Sequence, residues 1–182
     1  IFADRLFYDL RADWIGNQIR DVIHNPLEFK TDITSIRAKL ETSSAYMQLF
    51  REAFSYQPAE DLVNDHTLAT ALGLYVQSLQ AFNSPFDQYA RGERNSIDPA
   101  VVEGFNLFMG KANCGTCHFP PSFSGLVPPD FHENETEVLG VPSSKEAEAI
   151  DPDLGRYENG WFVERAPHFR HSFKTVSVRN VA

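Results

Sequence analysis

The sequence predicts a mainly α fold in two helical domains. Three observations carry this. Apolar residues recur at helical spacing from Trp14 to Phe82 and again after Asp98. No segment alternates apolar and polar residues well enough to read as a strand. A polar stretch, residues 87–95, interrupts the two helical regions and reads as a hinge. A length of 182 residues suits one or two small domains, and 42% hydrophobic residues suffice for a core. The net charge of −9 argues against a nucleic-acid partner. No apolar run is long enough to span a membrane.

Taken in order, Phe2 to Phe7 is an aromatic entry segment. Trp14 to Ile23 carries apolar residues at 14, 15, 19, 22 and 23, a helical pattern that Asn25-Pro26 ends, because a residue before proline avoids the α region. Thr31 or Asp32 caps a helix to about Glu41, with Ile33, Ile36 and Leu40 on one face. Ser43 or Ser44 caps the next, striped by Tyr46, Met47, Phe50 and Phe54. Tyr56 to Asp61 reads as a loop around Pro58. Asn64 or Asp65 starts a long helix to about Phe82, whose stripe of Leu68, Ala71, Leu72, Tyr75, Val76 and Leu79 is expected to be core. Asn83-Ser84-Pro85 ends it. Asp98-Pro99 is an N-cap followed by proline at the first helical position, and the helix runs to Gly110. From Phe119 to Gly160 proline, glycine, serine and acidic residues dominate, with one or two helical turns expected at Lys145 to Ile150. So long an irregular segment reads as a functional wrap.

Cys114-Gly115-Thr116-Cys117-His118 is the motif that carries chemistry. Two cysteines three apart, with histidine directly after the second, match the attachment sequence of a c-type haem. Each thiol adds to one haem vinyl group, and the imidazole then lies under the iron. Two other readings stand beside it. A disulfide or thioredoxin-like pair expects a βαβ pattern nearby, and none is visible. A zinc site wants four ligands, and only two cysteines exist. His168 and His171 would complete a Cys2His2 set, with a His-to-His spacing tighter than usual. The aromatic fraction of 13%, mostly Phe, suits a chain that walls an apolar cofactor.

Several stretches together resemble the bacterial di-haem cytochrome c peroxidases and their relative that matures methylamine dehydrogenase. They are Phe7-Tyr8-Asp9-Leu10-Arg11-Ala12, then Gln18 followed by Asn25-Pro26-Leu27-Glu28, then Ser84-Pro85-Phe86-Asp87 with Gly92. Gly104-Phe105-Asn106-Leu107-Phe108 leads into the cysteine motif, and Asp153-Leu154-Gly155-Arg156, Phe173-Lys174 and Val178-Arg179-Asn180-Val181-Ala182 fit the tail. Each is weak alone; the ordered set is specific. Four positions depart from the family's pattern: Leu10 for glycine, Val22 for proline, Phe29 for methionine and Val176 for proline.

The resemblance implies two cytochrome c-like helical domains, with residues 1–90 the later part of the peroxidatic domain and residues 91–182 the c-type haem electron-transfer domain. On this reading the chain is a fragment: the first haem's segment precedes Ile1 and the second haem's distal ligand follows Ala182. His118 is then the metal ligand, with Cys114 and Cys117 as anchors and Arg156 and Arg179, besides Arg11, as candidates for haem propionates. Glu28 resembles the acid/base of the peroxidatic pocket, Gln18 the amide that orients peroxide or water, and Tyr8 the aromatic residue between the haems. His24, beside the pocket loop, reads as an ordinary loop histidine ahead of a local ligand or proton group, and His66 as a surface residue at a helix start. His132, His168 and His171 are positions from which a distal ligand could approach the haem, although the family takes that ligand from beyond Ala182. Met47 reads as core, and Met109 lies too near the motif to reach the opposite haem face. The implied cofactors are covalent haem c, a second haem in the intact protein, and calcium. The implied partners are hydrogen peroxide and a small cytochrome c or cupredoxin donor, with a homodimer allowed and no nucleic acid. Covalent haem attachment implies a periplasmic, exported location.

Overall fold

The computed structural model describes residues 3–161 and 166–181. It is mainly helical, and the chain divides into two compact units, Ala12–Leu79 and Ile1–Arg11 with Gln80–Ala182. The division therefore falls between Leu79 and Gln80, ahead of the polar stretch at 87–95.

The first unit is four helices: α1 (Ile15–His24), α2 (Ile33–Glu41), α3 (Ser44–Ala53) and α4 (Asp65–Ser78). Their starts follow local chemistry. The Asp32 carboxylate accepts from the Ser35 amide at 2.8 Å, and the Ser43 hydroxyl accepts from Tyr46 at 3.4 Å. Asn64 and Thr67 exchange reciprocal side-chain to backbone bonds of 2.9 and 3.0 Å. Each such cap is worth about 1 kcal/mol. Between α3 and α4, within the stretch read as a loop, Ala59–Asp61 forms a 3-10 turn.

Phe50, Phe54, Leu62, Val63 and Leu68 form the buried cluster, with Ile33, Ile36, Leu40, Met47 and Ala71 against it. Burying such a side chain contributes about 1.5–3 kcal/mol, so this cluster holds α2, α3 and α4 together. Helix α1 packs on α4, where Gly73 is required: a Cβ there would lie 2.9 Å from Ile15 Cγ2. Arg20 pairs with Asp65 and lies 5.5 Å over the Trp14 ring, joining α1 to the first turn of α4.

Helix α4 stops short of Phe82. The Ser78 hydroxyl donates to the Tyr75 carbonyl at 2.7 Å, and the Leu79 amide turns back to Val76 at 3.1 Å. These bonds satisfy the last carbonyls and close the helix. The expected core stripe holds only for its first half. Leu68 is buried and Ala71 packs on the cluster, whereas Leu72, Tyr75, Val76 and Leu79 are 38–63% exposed.

The second unit contains α5 (Pro85–Ala90), α6 (Pro99–Met109) and a two-residue antiparallel ladder. In the ladder β1 (Thr136–Glu137) pairs with β2 (Phe173–Lys174), Thr136 opposite Lys174. Residues 119–160 are largely irregular, closed by isolated bridges such as Phe119 to Ser124 and Leu126 to Asn134. The helical turns expected at 145–150 do not form. Ser143 bonds to the Ala149 carbonyl at 3.1 Å and Asp151 to Val141 at 3.0 Å, so residues 141–151 fold back as a hairpin. The hinge reading is also corrected in part, since residues 87–90 lie inside α5. Ser84 and Asp87 form a capping box at its start, and Pro85 sits in its first turn.

Asp87 is 7% exposed and meets the Arg179 guanidinium at 2.5 Å, 92 residues along the chain. Burial by itself pushes its carboxyl up. The Arg179 bond, the Ser84 hydroxyl and the Ser84 amide outweigh that and hold it at about 2, below the usual 3.8. A carboxyl with a lowered folded-state value stabilises the fold above its unfolded value, and that stability is lost as pH falls through the folded value. We expect the intact protein to lose about 2 kcal/mol through this group between roughly pH 4 and pH 2. Thermal midpoints across that range will fall more steeply for the wild type than for Asp87→Asn.

Leu10, where the resembling family has glycine, has φ +62 and is 2% exposed. The left-handed backbone costs about 1–2 kcal/mol in a non-glycine residue. Burial of the side chain returns more than that, because removing a buried leucine side chain costs about 2–5 kcal/mol. Leu10→Gly is therefore expected to lower stability by about 1–3 kcal/mol, read as a lower thermal midpoint.

Candidate functional site

Helix α6 delivers the cysteine motif. Asp98 caps it through the Ala100 amide at 2.9 Å, and Gly110 closes it on the Asn106 carbonyl at 2.9 Å. Asn113 then takes a left-handed conformation, φ +57, and turns the chain into the 3-10 turn Cys114–Thr116. The amides of Cys117 and His118 both donate to the Cys114 carbonyl, at 3.3 and 3.0 Å. One turn thus holds two free, half-buried thiols and the imidazole. Gly115 is buried at its centre, where a Cβ would meet the Met109 sulfur at 2.6 Å, so a side chain there would have to displace the Met109 thioether. Met109 accordingly packs beneath the motif.

The His118 ring is oriented from behind. Its Nδ1 lies 3.2 Å from the Phe123 carbonyl oxygen, and the Phe108 ring is 6.4 Å from it, centroid to centroid. With Nδ1–H donating to that carbonyl, Nε2 is the nitrogen left to bind a metal. Phe108 and Phe123, 5.6 Å apart, continue into Phe105 and Phe86 and wall a cleft of about 400 Å³. The donor set fits haem: two thiols for thioether links and one histidine with its second nitrogen already fixed. It does not fit zinc, since among the described residues no three His, Cys, Asp or Glu side chains gather to hold a metal ion. His168 rests against Phe169 at 4.1 Å, and His171 Nδ1 bonds with the Asp153 carbonyl at 2.8 Å.

The arginines are placed differently from one another. Arg179 donates to Asp87, to the Pro121 carbonyl at 2.8 Å and to the Ala81 carbonyl at 2.8 Å. It is engaged as a structural tie. Arg156 donates to Thr136 at 3.1 Å and lies 4.0 Å over the Phe169 ring. Arg11 pairs with Asp9 at 3.0 Å and stacks 3.5 Å over Phe7.

Glu28 and Gln18 both lie in the helical unit. Gln18 is half-buried on α1, and Asn25 is the residue that ends that helix in an extended conformation. The loop after α1 folds on Asn25: its side-chain oxygen accepts from Leu27 at 3.0 Å, and its carbonyl accepts from Glu28 and Lys30 at 3.0 Å. Asn25 Nδ2 also donates to the exposed Glu28 carboxylate at 3.2 Å. Tyr8 lies in the other unit, 65% exposed, its carbonyl accepting from the Lys174 amide at 2.7 Å. His24 bonds with the Arg20 carbonyl, His66 stacks near Trp14, and His132 sits 3.7 Å from Asp4.

Two participants escaped sequence reasoning. The Phe123 carbonyl is a backbone atom and leaves no trace in residue type. Asp87 stood in the sequence only within the Ser84-Pro85-Phe86-Asp87 stretch and the polar hinge, with nothing to mark it as the partner of Arg179. We expect the natural protein to show a Soret band and a mass one haem above that of the polypeptide at this motif. Cys114→Ala/Cys117→Ala should remove the added mass, and zinc without a Soret band would refute the assignment.

Comparison with known proteins bears on the same question. A family model described as di-haem cytochrome c peroxidase matches residues 1–95. The methylamine utilization protein MauG of Methylorubrum extorquens is 30% identical over 175 residues, covering 96% of this chain and 44% of that protein. A cytochrome c551 peroxidase of Nitrosomonas europaea is 29% identical over 175 residues, covering 96% and 47%. The chain thus spans about half the length of the curated relatives it matches. In fold, it superimposes on the crystal structure of a MauG-like protein associated with microbial copper homeostasis with a TM-score of 0.77 at 20% identity, covering 99% of this chain and 53% of the other. It superimposes on the diheme peroxidase BthA of Burkholderia thailandensis with a TM-score of 0.68 at 24% identity, covering 98% and 46%. Because the family model accounts for more than half of its residues, the chain belongs to the di-haem cytochrome c peroxidase family.

Proposed function

We propose that the intact protein reduces hydrogen peroxide, with electrons from a small cytochrome c or cupredoxin passing through a covalent haem at Cys114, Cys117 and His118. The observation that carries this reading is the attachment turn itself: two free thiols and an imidazole whose Nδ1 is fixed on the Phe123 carbonyl. Bound there, haem supplies one-electron storage; at a second haem of the intact protein, iron supplies the site of peroxide cleavage.

The residues of this chain would divide the remaining work. Glu28 holds and moves the proton that must pass between the peroxide oxygens, and Asn25 Nδ2 keeps its carboxylate turned toward the loop after α1. Gln18 presents an amide that donates and accepts, so it orients peroxide or water beside Glu28. Tyr8 serves as the aromatic relay, and its phenol must shed a proton on one-electron oxidation. Arg156 is the arginine offered to a haem propionate. Residues 1–90 would serve the peroxidatic domain and residues 91–182 the electron-transfer domain, in an exported, periplasmic protein. No helix among the described residues is long and apolar enough to cross a membrane. A second haem, calcium and a homodimer are carried by the family likeness alone. The 182-residue chain by itself is expected to be inactive as a peroxidase.

A carrier with one haem and no catalysis gives Glu28 no task. Glu28→Gln in the intact protein is therefore expected to lower peroxide turnover about 100-fold or more, with haem content unchanged. Full turnover in that variant would remove Glu28 from the mechanism, whereas the carrier reading predicts no peroxide turnover even in the wild type.

A further inference from the structure

The segment from Thr175 to Arg179 is bonded through Thr175, Ser177, Val178 and Arg179 to the loop that carries the Phe123 carbonyl. Gly125 donates to the Thr175 carbonyl at 3.0 Å, and the Ser177 hydroxyl donates to the Ser122 carbonyl at 2.6 Å. The Val178 amide donates to the Phe123 carbonyl itself at 3.0 Å, and Arg179 Nη1 donates to the Pro121 carbonyl at 2.8 Å. The strap is fastened in turn to the start of α5, where Arg179 is held by Asp87 and Asp87 by the Ser84 hydroxyl at 2.7 Å.

The loop needs this restraint. Phe123 has φ +50, a conformation that bulky residues rarely adopt. Its carbonyl serves two donors, Val178 N–H and His118 Nδ1, so the strap fixes both where this oxygen lies and how far its lone pairs are shared. A hydrogen bond on the far nitrogen of a ligating imidazole raises the basicity of the near one. A more basic ligand favours the oxidised metal.

We propose that Arg179, locked by Asp87, is a positioning residue for His118: it pins the strap that aims the Phe123 carbonyl at Nδ1, and so sets the reduction potential of the haem at this turn rather than binding its propionates. The proposal rests on the haem reading above. Once the pin is removed, Phe123 relaxes from its left-handed conformation, the carbonyl moves off Nδ1, the imidazole becomes less basic and the potential rises.

The test uses the intact, haem-loaded protein, because thioether links retain haem whether or not the strap is fastened. Reduction potentials are measured by spectroelectrochemistry for the wild type, Asp87→Asn, Arg179→Gln, their double variant and Ser177→Ala, with haem content checked by mass. The expected result is a rise in both single variants equivalent to about a tenfold change in the redox equilibrium, about 59 mV for one electron. The double variant should shift no further than either single one, since both remove the same pin. An unchanged potential in the loaded single variants overturns the proposal. So does a shift in Arg179→Gln without one in Asp87→Asn, the pattern of a propionate contact. Should those variants fail to fold, Ser177→Ala decides: a raised potential supports the strap, and an unchanged one overturns it. A wild type without covalent haem overturns both this proposal and the proposed function. A haem-loaded wild type that fails to turn over peroxide overturns the function alone and leaves the potential series in force.

Discussion

The Asp87–Arg179 pair is the constraint on which the larger unit depends. Its side chains are 8% and 13% exposed, and a buried charge left without its partner costs about 3–5 kcal/mol. The geometry leaves neither group alone. Asp87 is also the third residue of α5, where it returns a bond to the Ser84 amide, and Arg179 reaches two carbonyls and lies 4.6 Å over the Phe82 ring. One contact therefore fixes the start of a helix, the loop after the haem motif and the end of the described chain. Among the described residues of this unit few hydrogen-bond ladders do the same, since the sheet is two residues deep on each strand.

Much of the helical unit was legible in the sequence, because its signals are local. Asp32, Ser43 and Asn64 cap its helices as their residue types and positions indicate, and Asp98 does the same for α6 in the other unit. The failures have physical causes. The apolar stripe of α4 continues past Ser78 while its hydrogen bonds do not, because a hydroxyl and a tight turn close the helix first. Helix α5 was hidden inside a polar stretch, although Ser84, Pro85 and Asp87 spell a helix start when read as a capping box rather than as a terminator. The hairpin at 141–151 is built from two backbone pairings and leaves no alternation to read.

The candidate site divides along the same line. The attachment turn is a local motif, and its chemistry could be written from five consecutive residues. What orients His118 is a carbonyl, and what holds the carbonyl is an ion pair spanning 92 residues. Neither has a signature in residue type. Arg179 shows the limit most clearly. As a residue type it is a natural anion ligand, yet its surroundings assign it to a carboxylate of its own chain.

The two thiols on one turn have a consequence for the histidine beside them. In a pocket that grips its cofactor only through the axial bond, that bond must be strong enough to prevent escape. Here Cys114 and Cys117 would carry the task of retention, and His118 is released from it. The strength of the iron–imidazole bond then becomes adjustable without risk of losing the prosthetic group. A few tenths of an ångström in the placement of one carbonyl can change the driving force for electron flow while the cofactor stays fastened.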